Sequence, residues 1–151
     1  MKNKVGIRRE DLSKKGEKRV ALVPSAVEKI VQNGTEVIVQ PAANPVTEEK
    51  KRAFNDSAYI AAGATVSEDL KAASPIVGLK EIETQYLLPE KAYLFFSHTH
   101  KGQLKNRDML RKLIDGKNTL IDYELVTNDQ KQRIITAFTY FAGYALSLIH
   151  I

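Results

Sequence analysis

Two short runs, PIVGL at 75–79 and AYLFF at 92–96, are apolar at almost every position. A strand with one wet face alternates apolar and polar residues, whereas a nearly continuous apolar run suits a strand covered on both faces, as in a parallel sheet flanked by helices. Residues 4–8, 36–40 and 119–123 read as further strands. Between the strands lie helical patterns. Residues 24–32 put Val27, Ile30 and Val31 on one stripe and stop at Asn33-Gly34. Residues 104–115 turn Leu104, Met109, Leu110, Leu113 and Ile114 toward a core and stop at Gly116. Residues 56–62 and 68–73 read as shorter helices, the second behind a Ser67 cap. A polar turn, another strand and a helix at 138–145 are expected after Tyr123. Strands alternating with helices imply an α/β fold: a three-layer, Rossmann-like (flavodoxin-like), mainly parallel sheet with helices on both faces.

The 151 residues suit one domain, and 43% hydrophobic with 27% charged residues is an ordinary globular balance. Cysteine is absent, which removes disulfides and thiolate metal sites and fits a reducing, cytoplasmic setting. No stretch approaches the length of a membrane span. The net charge of +5 comes from short basic clusters broken by glutamate and without interleaved aromatics, so neither nucleic acid nor membrane is expected as a partner. None of the eight glycines lies two residues from another, so no G-x-G-x-x-G dinucleotide loop is present, and P-loop and G-x-S-x-G patterns are missing as well.

In a parallel sheet all carboxyl ends lie along one edge, and ligands bind in the crevice outside that edge. A basic loop with Arg19 follows the first strand. Lys80-Glu81 follow PIVGL; Ser97, His98, Thr99, His100 and Lys101 follow the 92–97 strand; Asp122, Tyr123 and Glu124 follow 119–123. Each has a structural alternative: a strand-end lysine reaching for water, a histidine bonded to backbone, surface acids. A metal held by His98, His100 and Asp122 is a further reading, but a single strand end supplies both histidines and no clear third ligand stands out, so no metal is expected. Joint placement on one edge favours a site.

The stretches VGIRRE, EKRVALVPSAVEKIVQNGTEVIVQ, AGATV, PIVGLKE, YLFFSHTHKGQ, LIDYEL and FTYFAGYA together resemble the N-terminal domain shared by alanine dehydrogenase and pyridine nucleotide transhydrogenase. Within that group they look most like the lysine-pathway branch, lysine–2-oxoglutarate reductase and lysine-forming saccharopine dehydrogenase. The resemblance implies the substrate-binding half of an NAD(P)-dependent oxidoreductase acting on a small amino acid and a 2-oxo acid, cut before a nucleotide-binding Rossmann domain that would hold NAD or NADP. By position it makes Lys80 and His98 catalytic and Arg19 a carboxylate clamp. It places Lys101, Glu124 and Arg133 at the substrate cleft, with Asp122 or Glu124 tuning the catalytic pair. It gives His100 no role.

In that family a threonine usually precedes the proline of the first helix. Val23 stands there in this chain, so the helix is expected to lack its side-chain cap unless Ser25 moves the start. Residues 1–145 are expected to form the domain, and LSLIHI at 146–151 a non-native tail. Two readings stay open beside the saccharopine chemistry: an alanine dehydrogenase, and an anion-binding module without catalysis.

Overall fold

The computed structural model describes residues 3–11, 13–14, 16–42 and 52–135. The expected helix at 138–145 and the tail at 146–151 lie outside the described residues. The described residues form six strands and three α-helices: β1 (Lys4–Ile7), α1 (Pro24–Gln32), β2 (Glu36–Val39), α2 (Asp56–Ala61), β3 (Thr65–Val66), β4 (Ile76–Val77), β5 (Ala92–Phe95), α3 (Arg107–Asp115) and β6 (Thr119–Asp122). The strands form one sheet in the order β3-β2-β1-β4-β5-β6, with every neighbouring pair parallel. This is the doubly wound, Rossmann-type order, which reverses direction between β1 and β4 and opens a crevice there at the carboxyl ends.

Two apolar clusters sandwich the sheet. On one face Val27 and Tyr59 of α1 and α2 pack with Ile7, Val37 and Val39. On the other, Met109 and Leu113 of α3 pack with Ile76, Tyr93 and Phe95. Side chains alternate along each strand, so Ile7 faces α1 and α2 while Gly6 faces the opposite way. A Cβ at Gly6 would meet the Ala73 Cβ at 3.0 Å, and glycine there lets the chain entering β4 cross close beneath β1.

α1 starts at Pro24 with Val23 as its cap residue and no side-chain cap bond, as expected from the sequence; Ser25 does not shift it. It ends with Gly34 at φ +84°, whose N–H bonds Val31 O. The buried Tyr59 hydroxyl donates to Leu22 O at 2.8 Å, so the loop before α1 is anchored from α2 instead. Val23 is 40% exposed and extended at φ −77°, ψ 157°. Val23→Thr can therefore add the missing acceptor without crowding, and a gain of about 1 kcal/mol in urea unfolding is expected; no gain would contradict the capping argument.

Three expectations are corrected. Residues 68–73 form turns, because Ser67 Oγ accepts from Asp69 N (3.1 Å) and Asp69 Oδ1 from Lys71 N (2.8 Å); these local bonds compete with the helical ladder. Residues 104–106 are a short 3₁₀ turn ahead of α3, which puts Leu104 out of phase with the helix. Leu104, Leu110 and Ile114 are exposed, since the sheet receives only the Met109–Leu113 stripe. Strand β3 was not anticipated; only two residues of AGATV pair, with Ile38 and Val39.

Candidate functional site

The loop after β1 organises the crevice. Arg8, Glu10 and Asp11 are almost fully buried. The Arg8 guanidinium bonds Asp11 Oδ1 and lies 3.9 Å from Glu10. Glu10 accepts the backbone N–H groups of Leu79 (2.8 Å) and Lys80 (2.9 Å), and Asp11 Oδ2 accepts that of Glu83 (2.7 Å). Buried carboxylates persist when paired and hydrogen-bonded. Here they clamp the loop after β4 onto the loop after β1, across the point where the sheet reverses. Burial pushes the Glu10 carboxyl above its ordinary range, with the Arg8 charge and the two amides opposing. Lys80 is thus positioned through its own backbone.

His98 follows β5 in the left-handed region, φ 53° and ψ 14°, a conformation that costs a non-glycine residue roughly 1–3 kcal/mol. The turn brings its Nδ1 to 2.7 Å from Glu81 Oε1. Its ring lies nearly parallel to Phe96, which in turn meets the edge of Tyr123. Glu81 also accepts from Lys14 (3.1 Å) and Lys105 (3.3 Å). Burial works against its charge, but the hydrogen bonds from His98 and Lys14 outweigh it and hold the carboxyl at about 2. Burial pushes the Tyr123 phenol up to about 12, and the Glu10 charge adds to the effect.

Arg19 presents Nε and Nη2 to the two oxygens of Glu17, at 2.7 and 2.5 Å. These bonds hold Glu17 below the usual carboxylate range and keep the guanidinium charged. The Lys80 charge adds a smaller lowering of the Glu17 carboxyl, and the Glu10 charge a smaller raising of Arg19. Glu81 adjoins Lys80 in the chain and binds His98.

Lys101 donates to Glu124 Oε1 at 2.6 Å. Asp122, buried at the end of β6, accepts from Ser97 Oγ and from Glu124 N. It lies 3.7 Å from His100 Nδ1, and its contacts run to Ser97, Glu124 and His100. The acid that meets His98 is Glu81. Arg133 is exposed on a hairpin closed by the Thr127–Arg133 bridge, and its side chain joins none of these contacts among the described residues.

Sequence reasoning thus did not single out Glu10 or Glu17, and it placed Glu81 on the edge without a role. Glu17 and Glu81 stand within two residues of Arg19 and Lys80, and Glu10 stands three residues after β1; that adjacency was the available signal. A cavity of about 480 Å³ on the α3 face is lined by Arg8, Arg9, Leu70, Tyr86 and Tyr93, but by none of Arg19, Lys80 or His98. Among the described residues α1 does not open on a dinucleotide-type turn. The loop from 8 to 23 separates β1 from α1, and α1 opens on Pro24, which has no N–H to offer a pyrophosphate.

Known proteins share both sequence and fold with this chain. α-Aminoadipic semialdehyde synthase of Arabidopsis thaliana is 38% identical over 147 residues, covering 93% of this chain and 13% of that protein. The mitochondrial synthase of Bos taurus is 34% identical over 148 residues, 97% of this chain and 15% of that protein. The NAD⁺, L-lysine-forming saccharopine dehydrogenase of Yarrowia lipolytica is 31% identical over 134 residues, 85% of this chain and 34% of that protein. The chain therefore spans about a third or less of the length of these relatives. The fold is shared with an L-alanine dehydrogenase (TM-score 0.65, 24% identity, 85% of this chain and 34% of that one). It is shared also with a transhydrogenase from Sinorhizobium meliloti (TM-score 0.67, 22% identity, 83% of this chain and 36% of that one). Residues 6–145 match the family model described as alanine dehydrogenase/PNT, N-terminal domain. With that match spanning most of its length, the chain belongs to the alanine dehydrogenase/PNT N-terminal domain family.

Proposed function

We propose that this domain is the substrate-binding and acid–base half of an NAD(P)-dependent amino-acid oxidoreductase that interconverts lysine plus 2-oxoglutarate with saccharopine. The observation that carries the reading is that three carboxylate contacts, Arg19–Glu17, the Lys80 backbone N–H on Glu10 and His98–Glu81, follow β1, β4 and β5 at the carboxyl edge of the sheet. Similarity to the synthases and saccharopine dehydrogenases supports the lysine branch. The nicotinamide nucleotide would be held outside the described residues, and a cytoplasmic setting belongs to the same proposal. The share of this chain is binding and proton transfer.

Joining an amine to a 2-oxo acid needs a carboxylate clamp, a base to deprotonate the incoming ammonium and an acid to release water from the carbinolamine. Arg19, oriented by Glu17, is assigned to the oxo-acid carboxylate. Lys80 is assigned the proton transfer with the substrate amine. With Nδ1 of His98 directed at Glu81, Nε2 delivers a proton to the departing hydroxyl and recovers it in the reverse direction. Lys101 and Glu124 sit at the β5–β6 end of the same edge and are assigned to the distal part of the substrate, as is Arg133.

An assay of the full-length enzyme carrying this segment tests the reading. Lysine plus 2-oxoglutarate should consume NADH or NADPH, and pyruvate plus ammonia should not. The reverse preference would move the protein to the alanine branch, and inactivity with both pairs would favour an anion-binding module. In the same enzyme Arg19→Ala should raise the Michaelis constant for the oxo acid by about 10- to 100-fold, the cost of losing charge-assisted hydrogen bonds. An unchanged constant would remove the clamp.

A further inference from the structure

His98 holds a left-handed backbone, φ 53°, which a residue other than glycine keeps only where its surroundings enforce it. Both of its neighbours are tied down. Ser97 is fully buried, and its Oγ has one proton and two lone pairs to satisfy. The proton goes to the buried Asp122 at the end of β6. The lone pairs take the Thr99 N–H (3.2 Å) and the Thr99 hydroxyl (2.8 Å), so the hydroxyl is spent on locking the residue before His98 to the residue after it. The Ser97 backbone carbonyl is held separately, by Asn106 Nδ2–H at 2.9 Å. Lys101 N closes the turn on His98 O at 3.3 Å.

Asn106 is the part of this lock that comes from the α3 side. It is buried where the 104–106 turn meets α3. An asparagine at a helix start commonly caps it, yet α3 opens with no side-chain cap bond. The amide is spent instead on a carbonyl nine positions earlier. That carbonyl belongs to the peptide joining Ser97 to His98, so the bond fixes the peptide plane from which the His98 backbone turns and its ring sets out toward Glu81, 2.7 Å away. We propose that Asn106 is a positioning residue for His98, holding the Ser97–His98 peptide so that the imidazole stays on Glu81. The proposal rests on the acid–base role assigned to His98 above.

Kinetics of the full-length enzyme carrying this segment, with lysine and 2-oxoglutarate, test the role. Asn106→Ala removes the amide; Asn106→Asp keeps its size and sets an accepting oxygen against the Ser97 carbonyl. Each should lower kcat by about 10- to 100-fold, the scale of a small misplacement of a reacting group. The Michaelis constant for the oxo acid should stay near its wild-type value, because Arg19 is untouched. Added to His98→Gln, either substitution should cost nothing further, since the group it positions is gone. A merely structural role predicts a loss that multiplies with that of His98→Gln and tracks the melting temperature. Wild-type kcat in a folded variant, or a multiplied loss, would overturn the proposal. NMR of the isotope-labelled 151-residue chain reads the same geometry without any turnover. The His98 ring signals should move in Asn106→Asp, as they should in Glu81→Gln; ring signals that stay in place in Asn106→Asp would overturn the proposal. Shifted signals together with a wild-type enzyme inactive on these substrates would uphold the positioning and sink only the proposed reaction.

Discussion

Lys80→Met in the full-length enzyme that carries this segment is expected to lower turnover by about 10²- to 10⁴-fold, the usual worth of a positioned general base. Methionine keeps the length and apolar stem of the side chain and removes only the amine. What positions residue 80 is its backbone N–H on Glu10 (2.9 Å), which the substitution leaves in place. The half-buried site accepts a thioether, so the melting temperature should change little. Steady-state kinetics with lysine and 2-oxoglutarate provide the check. Turnover near the wild-type level would take Lys80 out of the mechanism, because no neighbouring base replaces it: Glu10 is spent on two amides and Glu81 on His98.

A loss of the same order is expected for His98→Gln, by a different route. The amide can keep a hydrogen bond to Glu81 but cannot carry a proton to the leaving hydroxyl. Glu81, held at about 2, stays ionised across the working range and cannot generate a change of activity near neutrality. A pH-dependent limb of activity that His98 supplies should vanish in His98→Gln. A limb that persists with normal turnover would assign that proton to another group. Because residue 98 sits at φ 53°, His98→Asn is the better-tolerated companion. Equal losses in both variants would separate missing chemistry from a disturbed backbone.

The strands of the core and the first helix were legible because each announces itself locally: apolar runs, a 3.6-residue stripe, a glycine stop. The order of the strands was not, since it depends on which segments cross over one another. The 68–73 segment misled because a serine that caps a helix also closes a turn, and here Asp69 followed with a second turn of its own. The 104–115 segment misled because apolar residues filled more of the helix than the sheet could cover. At the edge, Arg19, Lys80 and His98 were visible as residue types following strands. Their carboxylate partners were not, because the pairings Glu10–Lys80 and Glu81–His98 join residues 70 and 17 positions apart. The same folding divides the two histidines that the sequence sets side by side: His98 turns to Glu81, His100 to Asp122 and Glu124.

The proposed mechanism requires the Arg19 guanidinium, the Lys80 amine and the His98 imidazole to share one hollow at the β1–β4 reversal. Titrating 2-oxoglutarate into the isotope-labelled 151-residue chain and following the Arg19 Nε–H, the Lys80 amide and the His98 ring by NMR tests it most directly. All three signals should move along one binding curve with a single midpoint, and Arg19→Ala should shift that midpoint for the remaining two. Signals that stay still, or that move with separate midpoints, would mean that the three groups do not serve the same ligand.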